Sequence, residues 1–169
     1  MSAIAGFHVI DRADIPRLVA AAELAAELDA RPDVSYEDIV DGGHELPGDT
    51  LQTVGRELAD DYGWSGYCMV HLLTYLEDRG VDLFASEYRA ESDVINSAYD
   101  LTVLMTPAHK VFLPQLDPSV HSEQELRRHF EVMGYGFDEA ATAAREGLEI
   151  LRDQIAALAD HEVFVLHVG

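Results

Sequence analysis

One cysteine, Cys68, stands in 169 residues, which excludes an intrachain disulfide. Lysine is as scarce: Lys110 is the only one, and the other cations are arginines. Eleven cations face 32 carboxylates, a formal net charge of −21 at pH 7. Nucleic-acid phosphates and anionic lipid would repel such a chain, so neither is expected as a partner. No apolar run approaches the roughly 18 residues of a membrane span. The opening Met1–His8 lacks the basic start and long apolar core of a secretory signal. With the cysteine usage, these absences predict a cytoplasmic protein. There is no glycine-rich phosphate loop, and no His-x-x-x-His or His-Glu-x-x-His pair. Gly63-Trp64-Ser65-Gly66 falls one residue short of the Gly-x-Ser-x-Gly nucleophile elbow.

What is present is an ordinary globular balance, 48% apolar and 25% charged residues. A chain of this length buries roughly 70% of its unfolded surface, enough for one domain over residues 1–169 without a metal or cofactor to hold it. Ile4–Ile10 reads as a strand. Asp14 is placed to cap a helix that ends at Arg31-Pro32. A loop-like stretch over 32–49 includes a helical turn at 36–40, and Asp49 is expected to cap a helix reaching about Tyr62. Ser65 opens a helix to Arg79 that is apolar nearly all round, the mark of a central helix. Ser86 is expected to open an acidic helix to about Ala98, followed by a strand at 101–105. Thr106-Pro107 then starts a short helix that Pro114 interrupts. Ser122 and Glu125 form a capping-box pattern. Asp138 precedes the longest helix, whose Leu148, Leu151, Ile155 and Leu158 keep three-and-four spacing. The last strand, 162–168, has no apolar–polar alternation, so both its faces are expected to be covered. Strands at the start, middle and end, with about seven helices between, predict an α+β fold with a small mixed sheet of three to four strands.

Chemistry-bearing residues fall into four groups. Tyr67, His71 and Tyr75 recur every fourth residue along the apolar helix, a polar-tipped ridge that suits a pocket with His71 moving a proton or, alternatively, a half-buried aromatic seam. His8 and His167 lie in the first and last strands, and would share a neighbourhood if those strands pair. His44 sits in Asp41-Gly42-Gly43-His44-Glu45, where three ligand types share a loop. These three histidines are the weak metal candidates; no bound metal is expected. Carboxylates cluster at Asp60-Asp61, at Glu87, Glu91 and Asp93, and at Glu146, Glu149 and Asp153. Of these, Glu87, Glu91 and Asp93 are the candidate docking edge. Ser65 reads as a helix cap and Cys68 as an inert core thiol, with no basic neighbour to ionise it.

The two ends of the chain, Ile4-Ala5-Gly6-Phe7 and Val165-Leu166-His167-Val168-Gly169, together with Leu126-Arg127-Arg128-His129-Phe130, resemble the YfbM-like family of small bacterial cytosolic proteins. The resemblance spans about half the chain and leaves Trp64 to Pro118 unmatched. It implies an α+β domain and brings no catalytic residues with it.

Three functions fit this reading. The first is a non-enzymatic domain, of inhibitor or immunity type, that docks on a basic protein through its acidic surface. The second is an enzyme with a pocket around His71, Tyr67 and Tyr75. The third is an acidic housekeeping protein whose charge reflects genome composition or a salty cytoplasm. Whether the chain is an enzyme is left open, leaning to no, and the sequence does not set an oligomeric state.

Overall fold

The computed structural model describes residues 3–31, 33, 35, 37–38, 42–58 and 62–169. The helical turn expected over 36–40 falls largely outside them, as do Asp41, Asp60 and Asp61. Four strands form one sheet: β1 (Ala5–Asp11), β2 (Arg56–Glu57), β3 (Leu101–Met105) and β4 (Glu162–Val168), in the order β2-β1-β4-β3. Seven α-helices are seen among the described residues: α1 (Ile15–Asp29), α2 (Pro47–Val54), α3 (Gly66–Glu77), α4 (Arg89–Ala98), α5 (Leu113–Leu116), α6 (Glu123–Val132) and α7 (Ala140–Ala157). The α+β class is as the sequence predicts.

The sheet is antiparallel at every pairing of the described strands, not mixed as expected. β3 ends beside the start of β4, with Met105 opposite Phe164. The three-helix excursion between them therefore returns the chain to the end of the sheet it left, and that requires an antiparallel pair. β4 lies between β1 and β3, and its side chains serve two cores by turns. Phe164, Leu166 and Val168 join Phe7, Val9, Val103 and Met105 under α3, α6 and α7. Val163 and Val165 join Ile10 and Leu104 under α1, α2 and α4. Period-two alternation between two apolar layers explains why Val163–Leu166 is apolar without a break. The expected stripe of α7 is in place: Leu148, Leu151 and Ile155 are fully buried in the first core.

Local chemistry sets the element ends, and several differ from expectation. The helix expected over 49–62 is α2, starting at Pro47 and stopping at Gly55, where the backbone turns extended. A Cβ at Gly55 would collide with the carbonyl of Leu51. Arg56 and Glu57 then pair with Val9 and His8 as an edge strand. Asp14 precedes α1 but makes no cap bond; the capping side chain is Asp11, which accepts from the Ala13 N–H and starts the 3-10 turn Arg12–Asp14 that leads into α1. Pro114 sits in the first turn of α5, where its missing N–H is harmless, so it opens a helix instead of interrupting one. The Ser65 cap of α3 and the Ser122/Glu125 capping box of α6 stand as expected. The lone lysine, Lys110, donates from Nζ to the Leu158 carbonyl at 2.6 Å and so neutralises the end of α7. On the outer edge of β3, the Asn96 amide accepts from the Thr102 N–H and donates to its carbonyl, at 2.7 and 2.9 Å. That side chain occupies the place a further strand would take.

Candidate functional site

The tyrosine–histidine ridge of α3 is covered by the segment 121–135 to differing degrees. Tyr67 is 43% exposed, His71 is half-buried and Tyr75 has no exposed surface. The Tyr75 hydroxyl lies 3.0 Å from His121 Nδ1, and His121 Nε2 lies 2.7 Å from the Gln115 carbonyl. A carbonyl only accepts, so Nε2 carries the hydrogen and the Tyr75 hydroxyl donates to Nδ1. The Arg79 guanidinium caps the Tyr75 ring at 3.6 Å. His129 Nε2 donates to the His71 carbonyl at 2.9 Å. The His71 ring lies against Tyr135 at 4.9 Å and Phe130 at 5.8 Å, and its Nδ1 is buried without a partner. Burial, with His129 nearby, holds the His71 pKa below the usual imidazole range. The ridge runs from exposed Tyr67 through half-buried His71 to fully buried Tyr75, so only its last member is closed off from solvent.

The sheet histidines do share a face. β1 and β4 pair with Gly6 opposite His167 and His8 opposite Val165. They are close enough for His8 to help lower the His167 pKa, but each has its own contacts. His167 stacks on Tyr99 at 4.0 Å and is 3.1 Å from the Thr102 hydroxyl. The same hydroxyl lies 3.2 Å from the Asp100 carbonyl, so the ring and that carbonyl share it. His8 is buried beside Gly55 with Nδ1 unpartnered. Burial lowers both pKa values, opposed at His8 by Glu57 and at His167 by Asp100. His44 is exposed, and its neighbour Glu45 is held by a two-bond clasp from Arg17 at 2.7 and 2.6 Å. Among the described residues, no three of His, Cys, Asp and Glu lie where they could hold a metal ion.

The proposed acidic edge is split. Glu87 lies in the turn before α4, which starts at Arg89 and not at Ser86, because the Ser86 hydroxyl is occupied in capping that turn through the Tyr88 N–H. Glu87 is paired with Arg12 at 2.7 Å, and Asp93 with Arg89 at 3.4 Å. Glu91 is half-buried and two residues from Asp93, which turns the two carboxylates to different sides of the helix.

An open aromatic cleft lies elsewhere. Trp64 and Ser65 before α3 face the turn Gly134-Tyr135-Gly136-Phe137 after α6, across a cleft of about 380 Å³ with Cys68 at its floor. Gly134 takes φ +74°, which reverses the chain at the end of α6 and sets Tyr135 and Phe137 on the cleft wall. The rings meet at wide angles: Trp64 and Phe137 are 6.0 Å apart at 42°, Tyr135 and Phe137 5.9 Å apart at 82°. Glu146 accepts from the Trp64 indole N–H at 2.5 Å and fixes its plane. A second cleft of about 480 Å³ shares Gly136 and Phe137 and is lined by Arg127, Glu131 and Asp138. Arg127 is already paired with Glu123 at 2.7 Å. No protein-family model matches the chain, and no curated protein or solved structure shows significant similarity to it. The cleft is therefore read on its own chemistry. Ser65 Oγ accepts from the Tyr67 N–H as a helix cap, and burial pushes the Cys68 thiol pKa up, so neither is an activated nucleophile.

Sequence reading passed over Trp64, Tyr135 and Phe137. The signal was there: each neighbours a glycine, Gly63 for Trp64, Gly134 and Gly136 for Tyr135, and Gly136 for Phe137. Large rings beside glycines have fewer adjoining side chains to cover them.

Proposed function

We propose that this protein is a non-enzymatic binding domain whose partner is a basic protein, bound as an inhibitor or immunity-type protein binds its target. The surplus of carboxylates carries this reading. The ion pairs among the described residues engage seven of the eleven cations, each already matched with a carboxylate of the same chain. A surface left strongly negative accelerates encounter with a cation-rich one and repels nucleic acid and acidic proteins. The buried imidazoles of His8, His109 and His121 are shut away from any substrate, which favours binding over catalysis. None of the described helices is long and apolar enough to cross a membrane.

The test is affinity capture on the immobilised protein at low salt, followed by stopped-flow association of the purified partner over a range of ionic strength. The expected partner is strongly basic, and its association rate falls steeply as salt rises. A partner without net positive charge, or an association rate indifferent to salt, would contradict the proposal.

A further inference from the structure

We propose that the cleft walled by Trp64, Tyr135 and Phe137 seats an arginine side chain of the basic partner, with Glu131, Asp138 and Glu146 as the charge-complementary rim. The inference rests on the binding reading above and adds to it a site and a residue. Trp64–Phe137 and Tyr135–Phe137 present ring faces and edges at wide mutual angles around one opening. A planar guanidinium needs such walls: one face to stack on and carboxylates at its edge to accept its five N–H groups. The rim supplies them. Glu131 and Asp138 line the adjoining cleft at Phe137, and Glu146 is bonded to the Trp64 indole. The single cation of that lining, Arg127, is tied to Glu123. Exposed Val132 (76%) and Met133 (43%), at the end of α6 immediately before the aromatic turn, would flank the arginine's aliphatic stem or its chain neighbours. The chain already uses this chemistry internally, where the Arg79 guanidinium covers the Tyr75 ring at 3.6 Å. A second copy of this chain is a poor occupant, because two bodies of charge −21 repel.

Trp64 is the only tryptophan, so the cleft reports on itself. A nona-arginine peptide is titrated into the full chain at low salt while Trp64 emission is followed, with nona-lysine and nona-glutamate in parallel. The expected result is a saturable change with nona-arginine, a weaker one with nona-lysine and none with nona-glutamate. Phe137→Leu and Tyr135→Leu should each weaken nona-arginine binding about two- to thirtyfold, the range of one cation–π contact. Glu131→Gln with Asp138→Asn, which leaves the apolar walls intact, should weaken it as well and flatten its salt dependence. Far-ultraviolet circular dichroism of each variant, matching the parent, secures that the cleft and not the fold was altered. If nona-arginine binds but these variants bind it as the parent does, the cleft assignment fails and the basic-partner reading stands. If neither cationic peptide binds at low salt, both fail. A change in Trp64 emission with protein concentration alone would assign the cleft to a second copy and overturn the proposal.

Discussion

Acid should destabilise this protein from a higher pH than its carboxylates alone would dictate. His8, His71, His109 and His167 all have pKa values held below 6.5, chiefly by burial. In the unfolded chain each takes up a proton near pH 6.5, whereas in the folded protein each resists it. Their contribution to stability is complete above 6.5 and is lost as pH falls from there through the depressed folded values, at up to about 1.4 kcal/mol per pH unit for each group. His109 is the clearest case. It is 3% exposed, its Nδ1 accepts from the Thr106 N–H at 2.9 Å, and its Nε2 donates to the Ala85 carbonyl at 3.0 Å. A proton on Nδ1 would give up the bond from the Thr106 N–H, and only the Thr106 carbonyl at 3.2 Å could take its place, so burial outweighs the two carbonyls and holds the pKa down. With His8, also buried, the two put the upper bound of the early slope at about 2–3 kcal/mol per pH unit, before water screens the more open His71 and His167. Hydrogen-bonded carboxylates add to the loss only later. Asp117 and Glu125, lowered first by bonds from Ser119 and Ser122, give up their stabilisation as pH falls below about 4. Urea midpoints measured by circular dichroism from pH 7.5 to 5.0, at fixed ionic strength, should decline from about pH 6.5. His109→Asn, which keeps an acceptor near the Thr106 N–H and removes the titration, should lower the midpoint at pH 7.5 and make the slope shallower. A midpoint that is flat or rising between pH 7.5 and 5.5, or a slope unchanged in that variant, would refute the reasoning.

Leu151, fully buried among α7, α3 and the sheet, should cost about 2–5 kcal/mol when replaced by Ala, lowering Tm by roughly 5–20 °C; an unchanged melting curve would remove it from the core. Cys68, 1% exposed with its thiol pKa raised by burial, should label slowly with a thiol reagent in the native protein and quickly after denaturation, and fast native labelling would show that the cleft floor is open. Reversing Glu87 and Glu91 to Lys should slow association with the basic partner while leaving its dissociation unchanged, because neither lines the cleft. The Tm should move little, since exposed ion pairs such as Arg12–Glu87 contribute only about 0–1 kcal/mol. Faster dissociation in that variant would return the contact to the start of α4.

Much of this fold is legible from the chain because its signals are local. The strands at 4–10, 101–105 and 162–168, the Ser65 and Ser122 caps and the α7 stripe each depend on a few neighbouring residues. What escaped depends on distant ones. Arg56 and Glu57 form a strand only because β1 offers an edge, and nothing in their own neighbourhood distinguishes them from the end of α2. The antiparallel sheet depends on where a three-helix excursion returns, which no window of sequence contains. Charge spacing likewise suggested Glu87, Glu91 and Asp93 as one edge, but the arginines that neutralise Glu87 and Asp93 are 75 and four positions away. Of the histidines conspicuous by chemistry, His71 and His167 prove to lie against tyrosine rings, His8 is buried with Nδ1 unpartnered and His44 is exposed. The aromatic cleft is assembled from turns about 70 residues apart, Trp64 and Tyr135–Phe137, and only the fold brings them face to face.

The most direct measurement is a backbone amide chemical-shift map of the isotopically labelled protein titrated with nona-arginine at low salt. If the cleft is the seat of the basic partner, the largest shifts fall on residues 63–68 and 131–138 and on the Trp64 indole N–H, and they collapse in Phe137→Leu. Shifts concentrated instead on residues 86–98, or spread evenly over every acidic segment, would contradict it.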